Sequence, residues 1–468
     1  LTGTREGGVI ANMAAMFNPA VWAGVATVGG SKVPEDYRKA AADDYCTNLD
    51  GFIDEAHRLN LKKSDIPMPA WVIDDPESPV GTDNGTADYW KHTCGITEDG
   101  VQTAPDTVTY VRTTEPPYDP NQEKEAFRVC MSTISGGSAE YANLLLRRIW
   151  KDFLYRQRRW MSGPGGDLRV TKDPVADLGM EYHYEEIGGW MREWYVYVPE
   201  QVKQNPGKPV PLVFAMHGYT CSAEIYCGNS EWYKVADKHG FILVHPTATP
   251  GTMDATTVAS SPDNVALPAW NFMRKAPNGP DELLFFRTLL EKVCAEHTID
   301  RTRIYATGHS HGSVMTQVLA MSMPEVFAAA APCSGVIFKG FGMDIRETPE
   351  FRNRKDCPLP VWMFGGEQEP WLLDHIPTND NATGDSIRIW RGNNHLTPEI
   401  PASWEDGWTV NGRWHDLHYT NADGAPMVNY TWVDYMPHAT MTEKSFRIWE
   451  EFFSRFTRAD GEIRYHPS

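Results

Sequence analysis

The stretch RIYATGHSHGSVMTQVLAMSMPEVFAAAAPCSG, residues 303–335, decides how this chain is read. Ile304 to Thr307 is a short β-rich run that predicts a buried strand. Gly308-His309-Ser310-His311-Gly312 follows at once; Val314 to Met323 then predicts a helix, and Pro324 closes it. A strand, a Gly-x-Ser-x-Gly turn and a helix in that order make an elbow that lifts one serine above a sheet. Side chains flanking so tight a turn would collide, which explains glycine at 308 and 312. The helix N-terminus behind Ser310 favours negative charge developing beside it.

Working outward, the neighbouring segments alternate. DLRVT (167–171) and EWYVYVPE (193–200) read as early strands, and PLVFAMHG (211–218) as a strongly apolar one. Trp232 to His239 reads as a helix, followed by the strand FILVHPTA (241–248). DELLFFRTLLEKVCAEH (281–297) places Leu283, Leu284, Phe286, Leu289, Leu290 and Val293 on one broad helical face. After the elbow come strands at Val361 to Phe364 and Val428 to Val433, then a closing helix from Glu443 to Phe456. Strands alternating with helices predict an α/β class, a mostly parallel sheet covered on both faces. With the elbow, this is the pattern of an α/β-hydrolase fold.

The bulk properties narrow the function. A chain of 468 residues, 41% hydrophobic and 22% charged, is globular, and its length suggests two domains. A net charge of −19 argues against nucleic acid, whose phosphates need cationic partners. No apolar run approaches the roughly 18 residues of a membrane span. The chain starts with Leu1, which suggests a processed product and leaves open a secreted one, extracellular or periplasmic rather than cytoplasmic. The 8 cysteines form no Cys-x-x-Cys pair, so a zinc site is not expected; no cofactor or other metal is expected either. Cys221 and Cys227 stand close enough in sequence to bridge. Sequons at Asn84, Asn381 and Asn429 would matter only in a secreted eukaryotic product.

Residues 1–30 repeat the elbow region. Laid without a gap on 306–335 they match at 11 of 30 positions, Gly3, Gly7, Pro19, Val21, Ala23 and Gly30 among them. Further on, 65–78 lies on 356–369, 89–97 on 389–397 and 146–156 on 445–455. Such a long period predicts domain duplication, not a solenoid. The expected organisation is a degenerate, incomplete copy over 1–160, a linker at 161–167 and a complete domain over 168–468. In the first copy Arg5 falls opposite Ser310, Ser78 opposite Glu369 and Ala139 opposite His438. A guanidinium stays protonated and has no lone pair for attack, so this copy is expected to be inert. It also begins at the elbow, and a half sheet would expose unpaired backbone. The expectation is an upstream segment or second chain that completes it, with docking on the second copy or a homo-oligomer as alternatives. The intact mass of the native gene product decides.

Residues 193–335 resemble the poly(3-hydroxybutyrate) depolymerase and feruloyl/acetylxylan esterase group of α/β-hydrolases. The likeness rests on YVYVPE, PLVFAMHGYTCSAE, WYKVADKHGFILVHP, Trp270-Asn271-Phe272, DELLFFRTLLEKV, IDRTRIYATGHSHGS and PEVFAAAAPCSG. The resemblance implies a serine esterase acting on hydroxyalkanoate or hydroxycinnamate esters, with acetylated carbohydrate as a related substrate. Ser310 is the expected nucleophile and His438, between the last strand and last helix, its base; His395 and His375 compete for that role. The acid should follow the 361–364 strand. The family usually has Gly-x-x-Asp there, whereas this chain has Gly366-Glu367-Gln368-Glu369, and the alignment with the first copy picks Glu369, with Glu367 and Asp374 as alternatives. Backbone N–H groups of His311 and of Tyr219 or Thr220 would form the oxyanion hole. Trp232, Trp270 and Trp371 are expected near substrate, where aromatic rings could stack on an acyl group or polymer. A peptidase or acyltransferase on the same fold, and a non-catalytic binding protein, are the competing functions.

Overall fold

A computed structural model describes residues 1–46, 62–80, 84–112, 126–134, 146–160, 167–251, 267–272, 279–336, 345–352, 356–369, 375–396 and 406–467. The chain divides into two compact units, Leu1–Lys172 and Asp173–Ser468. Residues 161–166, most of the expected linker, lie outside the described residues, as does Ala139. Among the described residues no helix is long and apolar enough to cross a membrane.

The first unit holds a six-stranded sheet. Its strands are β1 (Thr2–Thr4), β2 (Val25–Val28), β3 (Ala70–Asp74), β4 (Val101–Ala104), β5 (Thr107–Val111) and β6 (Arg128–Thr133), in the order β1-β2-β3-β6-β5-β4. β1, β2, β3 and β6 run parallel, and β5 and β4 fold back antiparallel. Helix α1 (Glu6–Phe17) follows β1 with its Ala11, Ala15 and Met16 face buried, joined there by α2 (Glu35–Asp43) and α3 (Asn84–Thr93). The segment DLRVT belongs to this unit. As β8 (Asp167–Val170) it pairs antiparallel with β7 (Gln157–Trp160), so it is not an early strand of the second unit.

The second unit carries ten strands in one sheet: β9 (Glu181–Ile187), β10 (Trp190–Tyr197), β11 (Val210–Met216), β12 (Ile242–Thr247), β15 (Ile299–His309), β16 (Ala329–Cys333), β17 (Val361–Gln368), β18 (Trp408–Asn411), β19 (Trp414–Thr420) and β20 (Pro426–Pro437). Two short strands, β13 (Pro250–Gly251) and β14 (Leu267–Pro268), pair outside it. The order is β18-β19-β20-β17-β16-β15-β11-β12-β10-β9, with β12, β11, β15, β16, β17 and β20 all parallel. β11, β12 and β16 are buried along nearly their whole length, as a parallel strand covered on both faces must be.

The helices that position the site are α4 (Ala223–Ser230), α5 (Trp232–His239), α6 (Glu282–Glu296), α7 (His311–Ser322), α8 (Ala382–Asn393) and α9 (Thr442–Arg447). Asp281 caps α6, its carboxylate accepting the Leu284 N–H. The closing helix is shorter than expected. After α9 it widens into a π-turn over Ile448–Phe452 and then a 3-10 turn. It ends before Phe456, which starts β21 (Phe456–Ala459), paired with β22 (Glu462–Tyr465). This fold matches the α/β-hydrolase expectation.

Candidate active site

The parallel strands deliver their residues to one end of the sheet, where loops are free to carry chemistry. β15 leads to Ser310, β17 to Glu369, β20 to His438, and β11 to His217-Gly218. At the elbow Ser310 is held at φ 58°, ψ −119°, a conformation L-residues avoid and packing must impose. A Cβ on Gly308 would stand 2.4 Å from the Gly312 carbonyl oxygen, and one on Gly312 2.4 Å from that of Met216. These contacts are why the turn takes glycine on both sides. The Ser310 N–H donates to the Cys333 carbonyl at the end of β16, fixing the height of the elbow (2.9 Å).

The structure brings the three expected side chains into one line. Ser310 Oγ lies 2.8 Å from His438 Nε2, and His438 Nδ1 lies 2.8 Å from Glu369 Oε2. A carboxylate only accepts, so Nδ1 carries the proton and Nε2 offers its lone pair to the serine hydroxyl. Glu369 is fully buried, and its second oxygen accepts the Gly366 N–H at 2.9 Å. The alternatives are engaged elsewhere. Glu367 accepts the Tyr435 N–H at 2.7 Å and so props the backbone that leads to His438. His395 pairs with Asp356 at 62% side-chain exposure, and His375 packs on Trp432. Asp374 and Trp371 lie outside the described residues.

His309 packs its ring 4.7 Å from that of His438. Burial first, then the neighbouring His438 and Lys444, hold its imidazole well below the usual histidine range, so it stays neutral. Burial likewise pushes His217 down to about 3. His217 shapes the loop after β11. Its Nδ1–H donates to the Gly218 carbonyl at 2.6 Å and its Nε2 accepts the Ala248 N–H at 2.9 Å.

Two expectations at this loop need correction. The Thr220 N–H donates to the Pro268 carbonyl at 3.1 Å, so it is not available to an oxyanion. The Tyr219 N–H meets no acceptor among the described residues, and His311 is the first residue of α7, directly after the nucleophile. Trp232 and Trp270 are buried rather than presented to a substrate. Trp232 stacks on Phe453, and Trp270 donates its indole N–H to the His217 carbonyl at 2.9 Å. The Trp270 backbone N–H also donates to His311 Nδ1 at 3.1 Å, tying the nucleophile's neighbour to the same loop. Trp270 is thus a brace beneath the site. Indole hydrophobicity reads the same in a core and on a rim, so sequence did not separate the two. All eight cysteines are free thiols, and Cys221 and Cys227 do not bridge.

Residues 195–348 match the family model described as Esterase PHB depolymerase. Feruloyl esterase B of Talaromyces stipitatus is 32% identical over 148 residues, covering 31% of this chain and 36% of that protein. Poly(3-hydroxyalkanoate) depolymerase C of Paucimonas lemoignei is 26% identical over 271 residues, covering 53% of this chain and 58% of that protein. A probable acetylxylan esterase A of Aspergillus clavatus is 30% identical over 145 residues, covering 30% of this chain and 41% of that protein. The chain thus spans between 36% and 58% of the length of these relatives. Residues 195–348 thus match the Esterase PHB depolymerase model, and the sheet, elbow and strand order of the second unit are those of an α/β-hydrolase fold.

Proposed function

We propose that this chain is a serine carboxylic-ester hydrolase acting through an acyl-enzyme. The observation that carries the reading is the line Glu369–His438–Ser310, with 2.8 Å at each junction. Ser310 Oγ attacks the ester carbonyl carbon as its proton passes to His438 Nε2. The buried Glu369 carboxylate stabilises the imidazolium that results. Negative charge on the carbonyl oxygen is met by the backbone N–H groups of His311 and Tyr219, each worth roughly 2.7–4 kcal/mol in such sites. The intermediate collapses, the alcohol leaves with the proton from His438, and water repeats the cycle on the acyl group to release acid and free serine.

The relatives point to hydroxycinnamoyl or acetyl esters of carbohydrate, or to hydroxyalkanoate polyesters. Methyl ferulate, acetylated xylan and hydroxybutyrate oligomers separate these substrate classes. The reaction class is tested with p-nitrophenyl acetate and a fluorophosphonate label. Wild type should turn over and label, and Ser310→Ala should lose about 10⁴-fold or more in kcat. Absence of both in wild type would favour a binding protein, and amide turnover matching ester turnover would favour a peptidase.

We further propose that the first unit is a degenerate copy of the second. Its strand order β1-β2-β3-β6-β5-β4 parallels β15-β16-β17-β20-β19-β18. Arg5 adopts φ 50°, ψ −125°, dihedral angles similar to the φ 58°, ψ −119° of Ser310. Trp90 Nε1 donates to Asn12 Oδ1 at 2.9 Å as Trp390 Nε1 donates to Gln317 Oε1 at 3.0 Å, and Asn12 and Gln317 are aligned by the repeat. Among the described residues β15 pairs with β11 as well as with β16, whereas β1 pairs with β2 alone. With Arg5 in place of a nucleophile, the Ser310→Ala chain should take up no fluorophosphonate at all.

A further inference from the structure

Glu231 joins α4 to α5 in a left-handed conformation, φ 51°, ψ 28°, where glycine is the residue backbone energetics would choose. It is also buried, at 3% exposure, and a buried carboxylate is costly unless it is paired. Its partners explain it. Lys234 Nζ, equally buried, lies 3.2 Å from Glu231 Oε1, and the Thr442 hydroxyl donates to Glu231 Oε2. Thr442 follows His438 by four residues.

Two further bonds run alongside. The Thr440 hydroxyl donates to the Asn229 carbonyl at 2.7 Å, and the Ser445 hydroxyl to the Ser230 carbonyl at 3.0 Å. Three consecutive residues, 229, 230 and 231, therefore receive hydroxyls from 440, 445 and 442. On the other side of His438, Glu367 holds the Tyr435 N–H. The imidazole thus stands on a loop pinned at both ends, and the downstream pin is anchored through an ion pair rather than through carbonyls alone.

We propose that Glu231 is a positioning residue for the reaction: through Thr442 and with Lys234 as its counter-charge, it fixes the loop that carries His438 at bonding distance from Ser310. Glu231 meets no substrate. Its effect is on how often the base is correctly placed, a requirement that an ångström of slack defeats. The inference rests on the ester-hydrolase reading for its kinetic part only.

The test uses full-length chain and p-nitrophenyl acetate. Thr442→Val should lower kcat about tenfold with KM within twofold of wild type. Glu231→Gln, which keeps an acceptor for Thr442, should retain more activity than the Glu231→Gly/Lys234→Met double variant, which keeps the backbone conformation and removes both charges of the pair. Adding Thr442→Val to that double variant should cost little more, because all three changes break one connection. Hydrogen exchange of residues 437–442 should quicken in every variant that loses the Thr442 bond, and this reads the clamp even if wild type hydrolyses nothing. Unchanged exchange in that loop, or a kcat within twofold of wild type for Thr442→Val, would overturn the proposal, as would losses that multiply independently.

Discussion

The Trp270 indole N–H donates to the His217 carbonyl, which belongs to the peptide leading into Gly218 and Tyr219. A Cβ placed on Gly218 would come within 3.2 Å of Ser310 Cβ, so this backbone lies directly against the nucleophile. Trp270→Phe keeps the packing and deletes one donor. A buried carbonyl left without its partner costs about 1–3 kcal/mol, so the melting temperature should fall. Loss of control over the Tyr219 N–H should lower kcat by roughly 3- to 30-fold for acetyl and feruloyl esters alike. A ring that stacked on substrate would instead raise KM for methyl ferulate alone, and that outcome would return Trp270 to the binding surface. At this scale the sequence was readable for the grouping of Ser310, His438 and Glu369: the elbow marks the serine, chain order the histidine and alignment with the first unit the glutamate. It was not readable for Thr220 or the tryptophans. Whether an N–H is already bonded, or a ring already covered, depends on segments distant in sequence, here Pro268 for Thr220 and Phe453 for Trp232.

Among the elements, the apolar parallel strands were legible because burial on both faces leaves unbroken hydrophobic runs, as in β11 and β12. Helix α6 was legible from its apolar spacing, although Leu284, expected on the buried face, is 44% exposed and Phe285 is buried instead. The antiparallel hairpin β18–β19 was not, since WTVN and WHDLHYT mix aromatic, polar and aliphatic residues without a clear period. Nor was the end of the last helix. Its apolar spacing continues through Phe456, but the π-turn over Ile448–Phe452 shifts the face, and Phe456 pairs in β21 instead. Helix α7 is buried along nearly its whole length, including Ser313, Thr316 and Gln317. Their polar groups are satisfied internally: Ser313 and Gln317 donate to the Gly335 carbonyl, and Thr316 to the Gly312 carbonyl. A helix at the centre of a fold therefore loses the amphipathic signature that marks a helix on its rim.

For the second unit as a whole, stability should be acid-labile through its buried histidines. Burial depresses His217 to about 3 and His245 to about 4, against about 6.5 for an exposed imidazole. Both therefore bind protons more readily in the unfolded chain, so their contribution is complete above about pH 6.5 and is lost as pH falls toward 4. Between pH 7 and 5 each should cost roughly 2 kcal/mol. His309, also held well below its usual range by burial, adds a third such group, so urea unfolding at the two pH values measures the sum of three and His245→Gln should remove about a third of it. An equal loss in that variant would assign the acid sensitivity to carboxylates instead. The same compactness bears on how the protein is made. Asn429 lies at 1% exposure in β20, between β17 and β19, with its side-chain amide donating to the Pro426 carbonyl. Because Asn429-Tyr430-Thr431 is also an acceptor sequence for oligosaccharide, a eukaryotic secretory host could decorate it only before the strand is laid down. A sugar there would bar the polypeptide from its native sheet, so material from yeast should be active only where that asparagine is bare, as peptide mapping of the active fraction would reveal, whereas a bacterial host avoids the hazard.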